Sequence, residues 1–162
     1  ITADAILPHH AGANNLNSVE YFRLVRDRLA PDGIALHWNG GVTDAEHKMI
    51  LRAFVDAFPE ATLWGDGTLM IGSKRPLGVS QARIESLLAD PAGRQALALM
   101  HVGTFDHLLR MFRASPRDIR EYLGPGPALS DDKPALEYFA SLPQTERDLS
   151  RIGRDSSALI RP

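Results

Sequence analysis

The chain has 162 residues, 44% hydrophobic and 23% charged, a formal net charge of −2 and no cysteine. One core-bearing domain fits that size, and the charge balance gives no footprint for nucleic acid or an anionic membrane. Disulfides, thiolate catalysis and cysteine-held zinc are excluded; with no apolar run near the ~20 residues that span a bilayer and no signal peptide, a cytoplasmic setting is expected.

Ile1-Thr2-Ala3-Asp4-Ala5-Ile6-Leu7-Pro8 reads as a short buried strand that carries one acid and is stopped by proline. A loop rich in His, Gly and Asn runs from Pro8 to Asn15. Ser18 then suits a helix N-cap, with Val19, Phe22, Val25 and Leu29 at helical spacing as far as Ala30. Pro31-Asp32-Gly33 is a turn by composition, and Ile34 to Trp38 a strand ended by Asn39-Gly40-Gly41. Thr43 with Glu46 three residues on makes a capping box, and Met49, Ile50, Phe54 and Val55 give that helix its apolar face up to Phe58. After Pro59, Ala61–Trp64 and Thr68–Gly72 flank Gly65-Asp66-Gly67, a hairpin signal.

From Ser80 onward the spacing is helical: Ile84, Leu87 and Leu88, then Leu97, Leu99 and Met100, then Leu108, Leu109 and Phe112. Ser115-Pro116 opens a further helix through Tyr122. The rigid Gly124-Pro125-Gly126-Pro127 loop leads to the acidic segment Ser130 to Tyr138. Beyond Pro143 the composition turns polar, through Asp155-Ser156-Ser157, and predicts a terminal helix that frays.

Strand, helix, strand, helix, hairpin is an α/β order. Short connections make the first two strands parallel neighbours with antiparallel strands beside them. The expected fold is the second half of a class I methyltransferase-like (Rossmann-like) sheet with a C-terminal β-hairpin and additional helices. Residues 1–78 would form the half sheet, 79–143 a helical region and 144–162 a polar tail. The first strand of such a half sheet has an open edge, for which an upstream domain of the same parent chain or a homodimer contact is expected.

Reactive groups gather at the carboxyl ends of strands in open α/β sheets, which singles out Asp4. A carboxylate there can accept a proton from an amine or hold a cation; it can equally cap the following loop through backbone amides. Asp131 and Asp132 stand ahead of Pro134, where they can hold a cation or satisfy the free amides of a helix start. His9 and His10, His47, and His101 with His107 form no helical pair with an acid of the zinc-protease kind, so no metal centre is expected. Trp38 and Trp64 suit core or pocket wall. Gly40-Gly41 and Gly65-Asp66-Gly67 precede no helix in a dinucleotide pattern, and no residue is assigned to cofactor binding.

Asp4 to Pro8, Ala11 to Phe22, Leu29 to Gly33, Phe54 to Trp64 and the segment Ser130-Asp131-Asp132-Lys133-Pro134-Ala135-Leu136-Glu137-Tyr138 together resemble the spermidine synthase family of polyamine aminopropyltransferases. The resemblance covers nearly the whole chain. It implies Asp4 as the base that assists deprotonation of the acceptor amine, a polyamine as acceptor and decarboxylated S-adenosylmethionine as the parent's co-substrate. It implies Asn17, Asp131 and Asp132 as acceptor-side residues, and a donor-binding half upstream of Ile1. Asn17 stands where the family usually has an aromatic residue, and His9 and His10 where a second acid is common. Membrane-joined parents occur in this broader family. Two other readings stay open: a non-catalytic dimerisation or polyamine-binding module, and a methyltransferase using S-adenosylmethionine itself.

Overall fold

In the computed structural model, which describes residues 1–4, 7–150, 152 and 156–161, capping side chains set the helix starts. Ala5 and Ile6 of the first apolar run, and Asp155 of the tail, lie outside the described residues. Helix α1 (Val19–Arg28) begins where the Ser18 hydroxyl accepts the Tyr21 N–H at 3.1 Å. Helix α2 (Asp44–Ala57) begins with the full capping box: the Thr43 hydroxyl accepts from the Glu46 N–H, and the Glu46 carboxylate accepts the Thr43 N–H at 2.7 Å. Each such cap contributes about 1 kcal/mol.

Strands β1 (Thr2–Asp4) and β2 (Ile34–Trp38) run parallel with Asp4 opposite Trp38. Strands β3 (Thr62–Trp64) and β4 (Leu69–Ser73) form the antiparallel hairpin, and β4 pairs antiparallel with β2. Gly65 and Gly67 take φ of 66° and 89° in its turn, a region only glycine enters without strain. With β5 the two-residue strand Val79–Ser80 outside this sheet and β6 the strand Phe112–Ala114, the protein is α/β with a mixed sheet ordered β1-β2-β4-β3-β6, and β1 is its terminal strand.

The fifth strand corrects the sequence reading. Helix α5 (Phe105–Met111) stops before Phe112, and Phe112–Ala114 forms β6 against β3. The Phe112 ring meets Trp64 edge-on at 5.5 Å, so extending the chain along β3 buries an aromatic pair that a further helical turn would forgo. Helix α3 (Gln81–Ala89) and helix α4 (Pro91–Ala98) precede it, and α6 (Pro116–Leu123) follows from a Ser115–Asp118 capping box.

The terminal helix is also overturned: among the described residues beyond Pro143 there is no α-helix. The chain instead lays Leu149 over Gly67, where an added Cβ would meet its Cδ1 at 2.1 Å. Thr145 accepts the Asp44 N–H at 3.0 Å, filling one free amide at the start of α2. A 3-10 turn, Ser157–Leu159, leads to a two-residue strand, Ile160–Arg161, parallel to Val79–Ser80.

The core lies between α2 and the sheet. Phe22, Ile50, Leu51, Phe54, Phe58, Leu63, Met70, Ile119, Leu129 and Leu136 are all buried there. No described helix is long and apolar enough to cross a membrane.

One local strain is removable. His101, three residues past α4, takes φ 56°, with its N–H bonded to the Ala98 carbonyl and the Val102 N–H to the Leu97 carbonyl, both at 3.0 Å. That pair of bonds is the usual helix stop built on glycine. His101→Gly is expected to raise stability by about 1 kcal/mol, read as a higher urea midpoint with an unchanged slope. An unchanged or lowered midpoint would show that the His101 ring contributes more than its backbone costs.

Candidate functional site

Three loops meet at the carboxyl end of the parallel strands. Asp4 ends β1 with its side chain exposed, and its carboxylate is hydrogen-bonded to nothing among the described residues. Opposite it stands Trp38, 36% exposed, whose ring lies across Gly40: a Cβ there would meet the indole at 2.1 Å. Glycine is therefore required for the tryptophan to lie flat on the turn. Beyond it, the Glu46 carboxylate is buried, with one oxygen taking the Thr43 N–H and, at 2.9 Å, the Thr43 hydroxyl. Its other oxygen meets His9 Nε2 at 2.8 Å. His9 thus ties the loop after β1 to the start of α2; spacing marks Glu46 as the capping-box acid, but nothing in the spacing links it to His9.

The acidic segment docks on that same loop. Glu137 accepts the Gly12 N–H at 2.8 Å, Asn14 Nδ2 donates to the Ser130 carbonyl at 3.1 Å, and Val19 N–H donates to the Leu129 carbonyl at 2.9 Å. Glu20 accepts the Asp131 N–H at 3.2 Å. The two stretches picked out in the sequence, 110 to 125 positions apart along the chain in these pairs, are brought together. Asp131 and Asp132 are both exposed. Asp132 accepts the Ser130 hydroxyl at 2.6 Å, and that hydrogen bond holds its carboxyl below the usual range. Tyr138 is exposed, so Glu137 rather than its neighbour does the anchoring.

Asn17 is placed differently. It is buried, its Nδ2 donating to the Ala13 carbonyl at 3.1 Å and its Oδ1 accepting from His37 Nε2 at 3.0 Å. Both ends of the amide are engaged inside the protein, one with Ala13 of its own 3-10 turn and one with His37 of β2.

A cavity of about 400 Å³ includes none of these residues. It opens between α2, α6 and the segment around Thr145 to Ile152, and its walls carry Asp44, Asp118, Glu121, Glu146 and Asp148 against one lysine, Lys48. Tyr122 donates to Asp44 at 2.6 Å, and Lys48 pairs with Asp44 at 2.8 Å while lying 4.6 Å from the Tyr122 ring centre. Burial opposes ionisation of Asp44, but the hydrogen bonds from Lys48 and Tyr122 outweigh it and hold the carboxyl below its usual range. Burial and then Asp44 push Tyr122 upward, so it stays a phenol. Behind it, buried His47 donates through Nε2 to the Gly67 carbonyl at 3.1 Å and sets Nδ1 3.2 Å from the Tyr122 oxygen. Tyr122 has one proton for two acceptors, and the shorter contact gives it to Asp44.

The chemistry therefore divides. The strand end offers an unengaged carboxylate suited to proton transfer, while the cavity offers an acidic wall suited to cations. The strand end is the stronger catalytic candidate, because the acids of the cavity are partly committed: Asp44 to Tyr122 and Lys48, and Asp118 to Ser115 at 2.7 Å. Among the described residues no group of three or more His, Asp or Glu converges as a metal site. No protein-family model, curated protein or solved structure matches this chain.

Proposed function

We propose that these residues form the acceptor-side part of an aminopropyltransferase of the spermidine synthase type, with Asp4 as its general base. The observation that carries the reading is Asp4 itself: an exposed carboxylate at the carboxyl end of β1, hydrogen-bonded to nothing among the described residues. Two features support it. The order β1-β2-β4-β3, two parallel strands followed by an antiparallel hairpin whose second strand lies inside, suits the second half of a methyltransferase-like sheet. The Ser130 to Tyr138 segment packs against the loop that follows Asp4.

In this reading a neutral amine of a polyamine attacks the carbon beside the sulfonium of decarboxylated S-adenosylmethionine. A C–N bond forms, the C–S bond breaks with its electron pair going to sulfur, and the amine proton passes to Asp4. A sulfonium is already a good leaving group, so the protein's task is alignment and removal of one proton. The donor-binding half is expected upstream, and these 162 residues alone are expected not to turn over.

The test uses the parent chain with its upstream coding sequence, decarboxylated S-adenosylmethionine and a series of diamines. Asp4→Asn should lower kcat by about 10²- to 10³-fold with an unchanged melting curve. Unaltered turnover would remove Asp4 from the mechanism. Absence of transfer to any diamine by the unmutated parent would end the aminopropyltransferase reading.

A second reading, a polyamine-binding module without catalysis, is favoured by the five acids of the 400 Å³ cavity and by the inward-turned Asn17. Titration calorimetry with spermidine at low salt separates it: heat of binding together with no transfer in the parent would put this reading first.

A further inference from the structure

His47 is short of one proton donor. The ring is fully buried and stands between two acceptors, the Gly67 carbonyl at 3.1 Å and the Tyr122 oxygen at 3.2 Å. A carbonyl has no proton to give, and Tyr122 commits its own to Asp44 at 2.6 Å. A neutral imidazole carries one N–H, so either tautomer leaves one ring nitrogen without a hydrogen bond. Buried polar atoms are nearly always paired, and each exception asks for a reason. A second proton on the ring would fill the gap, but burial and then the charge of Arg147 push the imidazole down to about 4. At neutral pH the missing donor has to come from elsewhere.

One rearrangement of this network admits it. If Tyr122 turned its O–H to His47, both ring nitrogens would be engaged, and Asp44 would be short of a donor instead. Asp44, unlike His47, lines the 400 Å³ cavity, where a molecule from solvent reaches it. We infer that this cavity binds a primary alkylammonium at Asp44, whose N–H takes the place of the Tyr122 hydroxyl there and lets that hydroxyl turn to His47.

The wall itself shows the fit. The ammonium of Lys48 already rests on it, 2.8 Å from the Asp44 carboxylate and 4.6 Å from the Tyr122 ring centre. Five acids against one lysine draw positive charge into the cavity, and Ile152 offers an apolar side chain to an alkyl group. A metal ion is less well served, since among the described residues no three His, Asp or Glu converge on one point. The inference rests on the cavity being a cation site, the second reading above, and owes nothing to Asp4.

The ring nitrogen chemical shifts of His47 at about pH 7.5 test it, with butylammonium chloride as the probe and equal sodium chloride as the blank. The free chain should show a neutral ring with one unbonded nitrogen, and saturating butylammonium should move that nitrogen to a hydrogen-bonded shift. Tetramethylammonium, with the same charge and no N–H, should leave it where it was. Asp44→Asn should weaken butylammonium binding at least about tenfold by calorimetry. Tyr122→Phe should bind the probe at least as tightly as the unmutated chain, because the competing hydroxyl is gone, with no response from His47. An imidazolium in the free chain, or an equal response to tetramethylammonium, would overturn the inference. Binding of butylammonium that leaves His47 unmoved would overturn it while sparing the cavity as a cation site; no binding at all would remove both.

Discussion

Acidification from pH 6.5 to about 4 is expected to remove a large part of the protein's stability, because two buried histidines must take up a proton inside it. His37 has its Nε2–H engaged by Asn17, while Nδ1 has no partner, and the ring is walled by Phe22 at 5.0 Å and by Phe54 and Tyr21 at 6.5 Å. A second N–H on that ring would point at hydrocarbon. His47 is equally buried. Its first opponent is burial and its second the charge of Arg147; the Gly67 carbonyl, Asp44 and Asp66 only partly offset them. Both imidazoles are pushed down to about 4 from 6.5.

The sign follows from proton counting. Between the two values the unfolded chain holds more protons than the folded one, so stability is complete above pH 6.5 and falls as the pH drops toward 4. Each histidine accounts for about 3 kcal/mol across that window, and the pair for a large part of a typical 5–15 kcal/mol total. Asp44 and Asp66 are held below their usual range, so what they contribute is lost only under more acid conditions and does not mask the effect. Urea midpoints followed by circular dichroism at intervals across the window would show the fall, and His37→Gln should roughly halve its slope. A flat midpoint would mean that water reaches both rings.

Local signals in the sequence carried far, since they depend on neighbours only. Ser18, Thr43 with Glu46, and Ser115 cap the helices as their spacing predicts, and Gly65-Asp66-Gly67 turns the hairpin. What stayed hidden depends on partners distant in the chain. Phe112 looked helical because its strand is three residues long and is defined by β3, about fifty positions earlier. The tail read as a fraying helix from its polarity, but its course is set by Leu149 on Gly67 and Thr145 on Asp44. Asp4 was legible as an acid at a strand end. The burial of Asn17 was not, because its role comes from His37 on the next strand, and no spacing rule links an asparagine to a histidine 20 residues on. The cavity was invisible for the same reason: its acids come from α2, α6 and the tail.

Phe54→Ala is expected to cost about 3–5 kcal/mol at neutral pH, as large a loss as a single side chain in this core can give. Phe54 is fully buried and stands edge-on to Phe22 at 5.0 Å, with Phe58 also at 5.0 Å. Its loss opens a cavity and removes two aromatic contacts worth about 0.5–1.5 kcal/mol each beyond their area. The same ring fixes α2 against β2, and α2 presents Glu46 to His9 and Asp44 to the acidic cavity. The cost should also depend on pH. Phe54 already shares a void of about 10 Å³ with Phe22 and His37, at the limit of what one water needs. Without the ring, water can reach the unpartnered Nδ1, and the His37 pKa returns toward 6.5. The variant then escapes part of the acid penalty that the unmutated chain suffers, so the measured loss should shrink by about 1–2 kcal/mol between pH 7.5 and pH 5. Paired urea titrations at the two pH values decide it. Equal losses would mean that the enlarged cavity stays dry, and that burial around His37 is kept by Phe22 and Tyr21 without the help of α2.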